Sequence, residues 1–157
     1  MTTRTFVDAL GRVVQIPHMP QRLVSLVPSI TEVLFSFARG QQVVGITDYC
    51  TEPAAAVATK TKIGGTKYPD LATILAVRPE LVFAVAEENR RQDVEQLTAA
   101  GVPVYVFAPR TVRHGLDLLW RVGYLYGAAE CINERACGHK APHPDPLPEG
   151  EGTLDHG

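Results

Sequence analysis

Four compact apolar segments, separated by stretches with helical signals, constrain this chain more than any other feature. They are residues 23–27, 43–47, 81–86 and 104–107. None of them alternates apolar with polar side chains, so each is expected to be a strand buried on both faces. Strand followed by helix, repeated along the chain, specifies a parallel sheet covered on both sides, with right-handed crossovers. The expected fold class is α/β: a Rossmann-like parallel sheet flanked by helices.

Local signals fill in the rest. Residues 5–7 and 13–16 read as an amino-terminal β-hairpin turning around Asp8 and Gly11. Ser29 with Glu32 has the reciprocal spacing of a capping box, opening a helix with Ile30, Val33, Leu34, Phe37 and Ala38 on one stripe. Gly40 stands where such a helix commonly stops. Residues 53–58 read as a weak helical turn, and Gly64-Gly65 as a break. Asp70 is a fair N-cap for a short helix carrying Leu71, Ile74 and Leu75, ended by Pro79. Residues 88–100 read as a polar helix whose inner face is Val94 and Leu97, closed by Gly101. Thr111 opens a longer helix with Leu116, Leu119, Trp120 and Tyr126 on its apolar side.

Composition sets outer limits. The chain has 157 residues, the size of one ordinary domain. Its 15 Lys and Arg against 17 Asp and Glu give a net charge of −2, which speaks against a broad nucleic-acid footprint. The longest apolar run, 81–86, is far short of the roughly 18 residues of a membrane-spanning helix. Residues 1–8 lack the apolar region of a secretory signal. Cys50, Cys131 and Cys137 are an odd number at unrelated spacings, so they read as buried or idle thiols. From 138 to 157 only Ala141, Leu147 and Leu154 are apolar, among four prolines and four glycines. Residues 131–157 are therefore expected to form a disordered tail.

In an open parallel sheet the ligand crevice lies outside the carboxyl ends of the strands. Pro28-Ser29, Asp48-Tyr49-Cys50, Thr66-Lys67-Tyr68, Glu87-Glu88-Asn89-Arg90 and Ala108-Pro109-Arg110-Thr111 all fall there. The candidate ligand-binding residues are Tyr49, Thr66, Lys67, Tyr68, Glu87, Asn89 and Arg110. Tyrosine rings can lie flat against a large conjugated ligand, and Lys67 and Arg110 can meet anionic groups. Enzyme signatures are absent from the sequence: there is no phosphate-binding G-x-x-x-x-G-K-[ST], no G-x-G-x-x-G after a strand, no G-x-S-x-G and no H-E-x-x-H. Glu87-Glu88 reads as a solvated helix start. His18 and His114 have no partner at metal-ligand spacing. No catalytic residue, metal site or cofactor is assigned.

The string Arg22-Leu23-Val24-Ser25-Leu26-Val27-Pro28-Ser29-Ile30-Thr31-Glu32 resembles the opening of the periplasmic-binding-protein family for iron-siderophores and vitamin B12, also called helical-backbone metal receptors. Val7-Asp8-Ala9-Leu10-Gly11-Arg12, Val43-Val44-Gly45-Ile46-Thr47, Ile63-Gly64-Gly65-Thr66-Lys67, Ile74-Leu75-Ala76-Val77-Arg78-Pro79-Glu80-Leu81-Val82 and Gly101-Val102-Pro103-Val104 are similar to the same family, in the same order. The resemblance implies the substrate-binding component of an ABC importer for cobalamin, ferric siderophore or haem. It also implies a periplasmic or cell-surface location and docking on a membrane permease. Family members have two Rossmann-like lobes joined by a long helix, with ligand in the cleft between them. Residues 1–130 would be the amino-terminal lobe, and 111–129 the start of that helix, exposed and open to self-association. Tyr49 falls where B12-binding relatives use a tyrosine against the corrin. Their tryptophan would fall near Thr66, and a permease-gripping glutamate at Ala72, for which Asp70 or Glu87 would substitute. Two other readings stand beside this one: a truncated product that has no activity of its own or only self-associates, and a small Rossmann-like enzyme using a nucleotide or phosphate.

Overall fold

The computed structural model describes residues 3–17, 20–36 and 39–108. Arg110, the helix expected from Thr111, the tail, and the stripe residues Phe37 and Ala38 lie outside them. In chain order the elements are a hairpin of β1 (Thr3–Val7) and β2 (Val13–Pro17), then β3 (Leu23–Ser25), α1 (Pro28–Ser36), β4 (Val43–Ile46), α2 (Ala54–Val57), β5 (Thr61–Lys62), α3 (Leu71–Ala76), β6 (Leu81–Val85), α4 (Arg91–Ala99) and β7 (Val104–Phe107).

The five later strands pair in parallel, in the order β5-β4-β3-β6-β7. The chain starts at the centre, winds outward to β5, returns beside β3 as β6, and winds the other way to β7. Strand order thus reverses between β3 and β6, the arrangement of a doubly wound sheet. All residues of β3, β6 and β7 are buried, as their unbroken apolar runs require. Successive side chains serve opposite faces. Leu81, Phe83, Val85, Tyr105 and Phe107 join Ile30, Leu34, Val57 and the hairpin's Val14 and Ile16 in one core. Val82, Ala84, Val104 and Val106 join Ile74, Val94 and Leu97 in the other.

The hairpin covers the β7 edge of the sheet. Outward-pointing carbonyls of β7 are taken by the Ala9 N–H, onto Val106 O at 2.9 Å, and by Arg12 Nη2, onto Val104 O at 2.9 Å. An uncovered edge strand would be a template for intermolecular pairing.

Several local expectations need correction. Helix α1 begins at Pro28, one residue before Ser29. Proline suits that first position because it brings no N–H to satisfy, so Ser29 lies inside the first turn and the expected capping box is not at the cap. Helix α1 is described as far as Ser36, and Gly40 opens a 3-10 turn, Gly40–Gln42. A Cβ there would collide with the Phe35 ring, so close packing calls for glycine. Strand β5 was not expected. The polar helix starts at Arg91 rather than at 88, and Glu87 and Glu88 sit in the turn before it, because Arg90 is extended (ψ 135°).

The Asp70 cap is present as expected. Its carboxylate accepts from Thr73 N at 3.1 Å and from Thr73 Oγ1 at 2.7 Å. The bond from the Thr73 hydroxyl, then that from the Thr73 N–H, hold the Asp70 carboxyl below its ordinary pKa. A carboxyl depressed by folding contributes stability above its unfolded pKa of about 4 and loses it as pH falls through the folded value. The stability gap between the wild type and Asp70→Ala is therefore expected to stay constant above about pH 5 and to close below about pH 4, read by urea unfolding at each pH.

Candidate functional site

Because all five sheet strands run parallel, their carboxyl ends share one edge, and the segments 26–28, 47–50, 63–70 and 86–90 leave from it. At the end of β4 the Cys50 N–H closes a turn onto Thr47 O at 3.1 Å. The Cys50 thiol is buried between the hydroxyls of Thr31 and Thr47, at 3.1 and 3.3 Å. With the thiol turned inward, its neighbour Tyr49 is turned out, 65% exposed.

The loop after β5 is closed at its base. Asp70 N donates to Ile63 O at 2.6 Å, and Asp48 N donates to Gly64 O at 2.9 Å. Gly64 has φ +92°, and a Cβ there would stand 3.1 Å from both Asp70 N and Tyr68 O, so only glycine fits this turn. Tyr49 packs beside Gly65: a Cβ on that glycine would lie 3.6 Å from the tyrosine ring.

The tip of this loop crosses the sheet edge. β5 and β6 are three strand spacings apart, about 14 Å. Residues 66–68 nevertheless meet the segment after β6. Thr66 O accepts from Asn89 Nδ2 at 3.0 Å, and Lys67 Nζ donates to Glu87 O at 2.9 Å. The Tyr68 ring lies under the Arg90 guanidinium, 4.5 Å from its centroid, within cation–π range. Asp93 holds Arg90 from below with bonds of 2.9 and 3.0 Å, and these raise the guanidinium pKa above its ordinary value. Tyr68 remains 74% exposed.

Six of the seven candidate residues, Tyr49, Thr66, Lys67, Tyr68, Glu87 and Asn89, therefore sit on one edge; Arg110 lies outside the described residues. Their parts differ. Tyr49 and Tyr68 present rings to solvent, Lys67 and Glu87 present mixed charge, and Asn89 is buried with its polar atoms engaged within the protein. Arg90 and Asp93 were not among the candidates. Their spacing of three residues on a helix start was the signal that could have found them.

Nothing in the described residues groups three His, Cys, Asp or Glu side chains for a metal ion. No helix among them is long and apolar enough to cross a membrane.

A sheet of this order gathers its loops at the carboxyl edge, where ligands of such sheets bind. The periplasmic binding protein family matches residues 23–134, and the chain belongs to that family, one of binding proteins rather than enzymes. The vitamin B12-binding protein of Pectobacterium carotovorum is 28% identical over 94 residues, which are 60% of this chain and 34% of that one. A vitamin B12-binding protein of Yersinia pestis is 28% identical over 89 residues, 57% of this chain and 31% of that one. The chain thus spans about a third of the length of the curated relatives it matches.

Solved structures share the fold. The periplasmic vitamin B12 binding protein of Vibrio cholerae superposes with a TM-score of 0.62 at 22% identity, over 71% of this chain and 42% of that one. The petrobactin-binding protein YclQ of Bacillus subtilis gives 0.73 at 13% identity, over 87% and 50%. The heme binding protein HmuT gives 0.67 at 22% identity, over 80% and 41%.

Proposed function

We propose that this chain is the amino-terminal lobe of the substrate-binding component of an ABC importer for metal chelates of the cobalamin, haem or ferric-siderophore class. In this reading residues 1–130 form the lobe and 131–157 a tail outside it. The lobe works in the periplasm or at the cell surface and delivers its ligand to a membrane permease. The observation that carries the reading is the pair of exposed rings at the carboxyl edge, Tyr49 beside Gly65 and Tyr68 in the same hydrogen-bonded loop under Arg90. Exposed tyrosines held in place are suited to a broad, flat, partly apolar ligand, and their hydroxyls stay available for its polar rim. Lys67, Thr66 and Glu87 supply the polar part of the same wall. The named specificities of the similar proteins support the ligand class.

The test is a titration of intrinsic fluorescence with cyanocobalamin, haemin and a ferric siderophore. At least one of them is expected to quench. Tyr49→Ala and Tyr68→Ala are each expected to weaken that ligand about tenfold, the value of one stacked ring, without lowering Tm. Absence of quenching by all three at high micromolar concentration would overturn the proposal.

A further inference from the structure

Asn89 occupies the place where a doubly wound sheet ordinarily leaves room for a ligand, the gap between the carboxyl ends of β3 and β6. Its Oδ1 accepts from Val85 N, at the end of β6, at 2.8 Å. Its Nδ2 donates to Leu26 O, just past β3, at 3.1 Å, and to Thr66 O, in the arching loop, at 3.0 Å. An amide nitrogen has two hydrogens, and both are used. One buried side chain thus ties together two strand ends and a loop that come from three separate parts of the sequence.

The neighbouring residues repeat the connection. Thr66, Lys67 and Tyr68 are consecutive, and each meets a different member of the segment 87–90: Asn89, Glu87 and Arg90. The Lys67 and Tyr68 contacts lie at the solvent-exposed rim, where hydrogen bonds and ring contacts compete with water. The Asn89 bond to Thr66 O is part-buried and comes from a buried side chain, so of the three it is the costliest to leave unmade.

We propose that Asn89 is a positioning residue rather than a ligand contact: it seats residues 65–68 over the β3–β6 gap, so that Tyr68 and Lys67 are presented in place before any ligand arrives. The consequence for specificity is direct. The gap that would take a nucleotide phosphate is filled by protein, and a ligand has to rest on top of the loop, against the tyrosine rings. The inference rests on the functional reading above only for what the loop then binds. The seating itself is measurable without a ligand.

The experiment is amide hydrogen exchange on the full chain, comparing the wild type with Asn89→Asp and Asn89→Ala. Asn89→Asp retains an acceptor for Val85 N and, when ionised, loses both donors. Exchange at the Asp48 and Asp70 amides, which donate to Gly64 O and Ile63 O and close the loop, is expected to rise about tenfold or more in both variants, as loss of the Asn89 tie to the loop implies, while β4 and β6 keep their protection. The same variants are expected to weaken the best chelate found for the wild type, with a dependence on Tyr68→Ala that is less than additive. Unchanged exchange at Asp48 and Asp70 would overturn the proposal. So would a uniform rise across the sheet, or loss of the fold in both variants, since Asn89 would then be holding the sheet and not the loop. A wild type that binds none of the three chelates would overturn the functional reading and leave the exchange result standing.

Discussion

Asp8→Ala is expected to destabilise the fold by about 2–4 kcal/mol, the cost of removing a buried carboxylate that two backbone N–H groups and a partly buried arginine depend on. The Asp8 side chain is wholly buried at the hairpin turn. One carboxylate oxygen accepts from the backbone N–H groups of Leu10 and Arg12, both at 3.0 Å. The other accepts from Arg12 Nε at 3.0 Å and Nη2 at 2.7 Å. That guanidinium in turn reaches Val104 O on the outer edge of β7 and Thr98 Oγ1 on α4. Asp8 therefore both closes the turn and aims the arginine that fastens the hairpin to the sheet. Without it, Arg12 loses its buried counter-charge, and the edge of β7 loses part of its cover. Urea unfolding should show the loss, and the variant should aggregate more readily as the strand edge opens. Asp8→Asn, which keeps an acceptor for the turn, is expected to lose about half as much. A loss below about 1 kcal/mol for Asp8→Ala would mean that the hairpin is an ornament on a sheet stable without it.

Phe83→Ala is expected to cost a further independent 3–5 kcal/mol or so, the usual range for emptying a buried aromatic site. Phe83 is fully buried at the middle of β6, paired with Ser25 of β3 on one side and Tyr105 of β7 on the other. Its ring stacks on Phe107 with centroids 6.0 Å apart. Backbone hydrogen bonds on both sides prevent β6 from moving inward, so the cavity stays largely open. Phe83→Leu, closer in volume, is expected to lose less than about 1.5 kcal/mol. The two alanine costs together approach the whole stability of an ordinary domain, so each variant is best measured alone by urea unfolding at a fixed temperature.

What the sequence disclosed follows from how local each signal is. The unbroken apolar run at 81–86 is expected to be a strand buried on both faces, and β6 is one, over Leu81–Val85. Asp70 caps α3 through Thr73, three residues away, and needs nothing distant. Strand β5 is two polar, exposed residues, Thr61 and Lys62, and it exists only because β4 offers a free edge; no pattern within the pair could announce it. Ser29 and Glu32 had the right spacing for a cap, but Pro28 took the first helical position and moved the helix start. The site divides in the same way. The carboxyl-edge rule collected Tyr49, Tyr68 and their neighbours because a parallel sheet puts all such loops together. The meeting of Thr66, Lys67 and Tyr68 with 87–90 was not legible, because it depends on a loop crossing two strand ends. Asn89 shows the difference best: its partner Leu26 lies 63 residues earlier.

In the proposed function, the carboxyl edge of the sheet is the wall on which a metal chelate rests. The most direct test is a map of backbone amide shifts in the labelled chain on adding diamagnetic ligands: cyanocobalamin, zinc protoporphyrin and a gallium-loaded siderophore. For whichever ligand binds, shifts are expected to gather at 48–50, 64–70 and 86–90. Shifts gathered instead around the groove of about 390 Å³ between Glu32, Phe35, Ser36, Glu52 and Pro53 would contradict it.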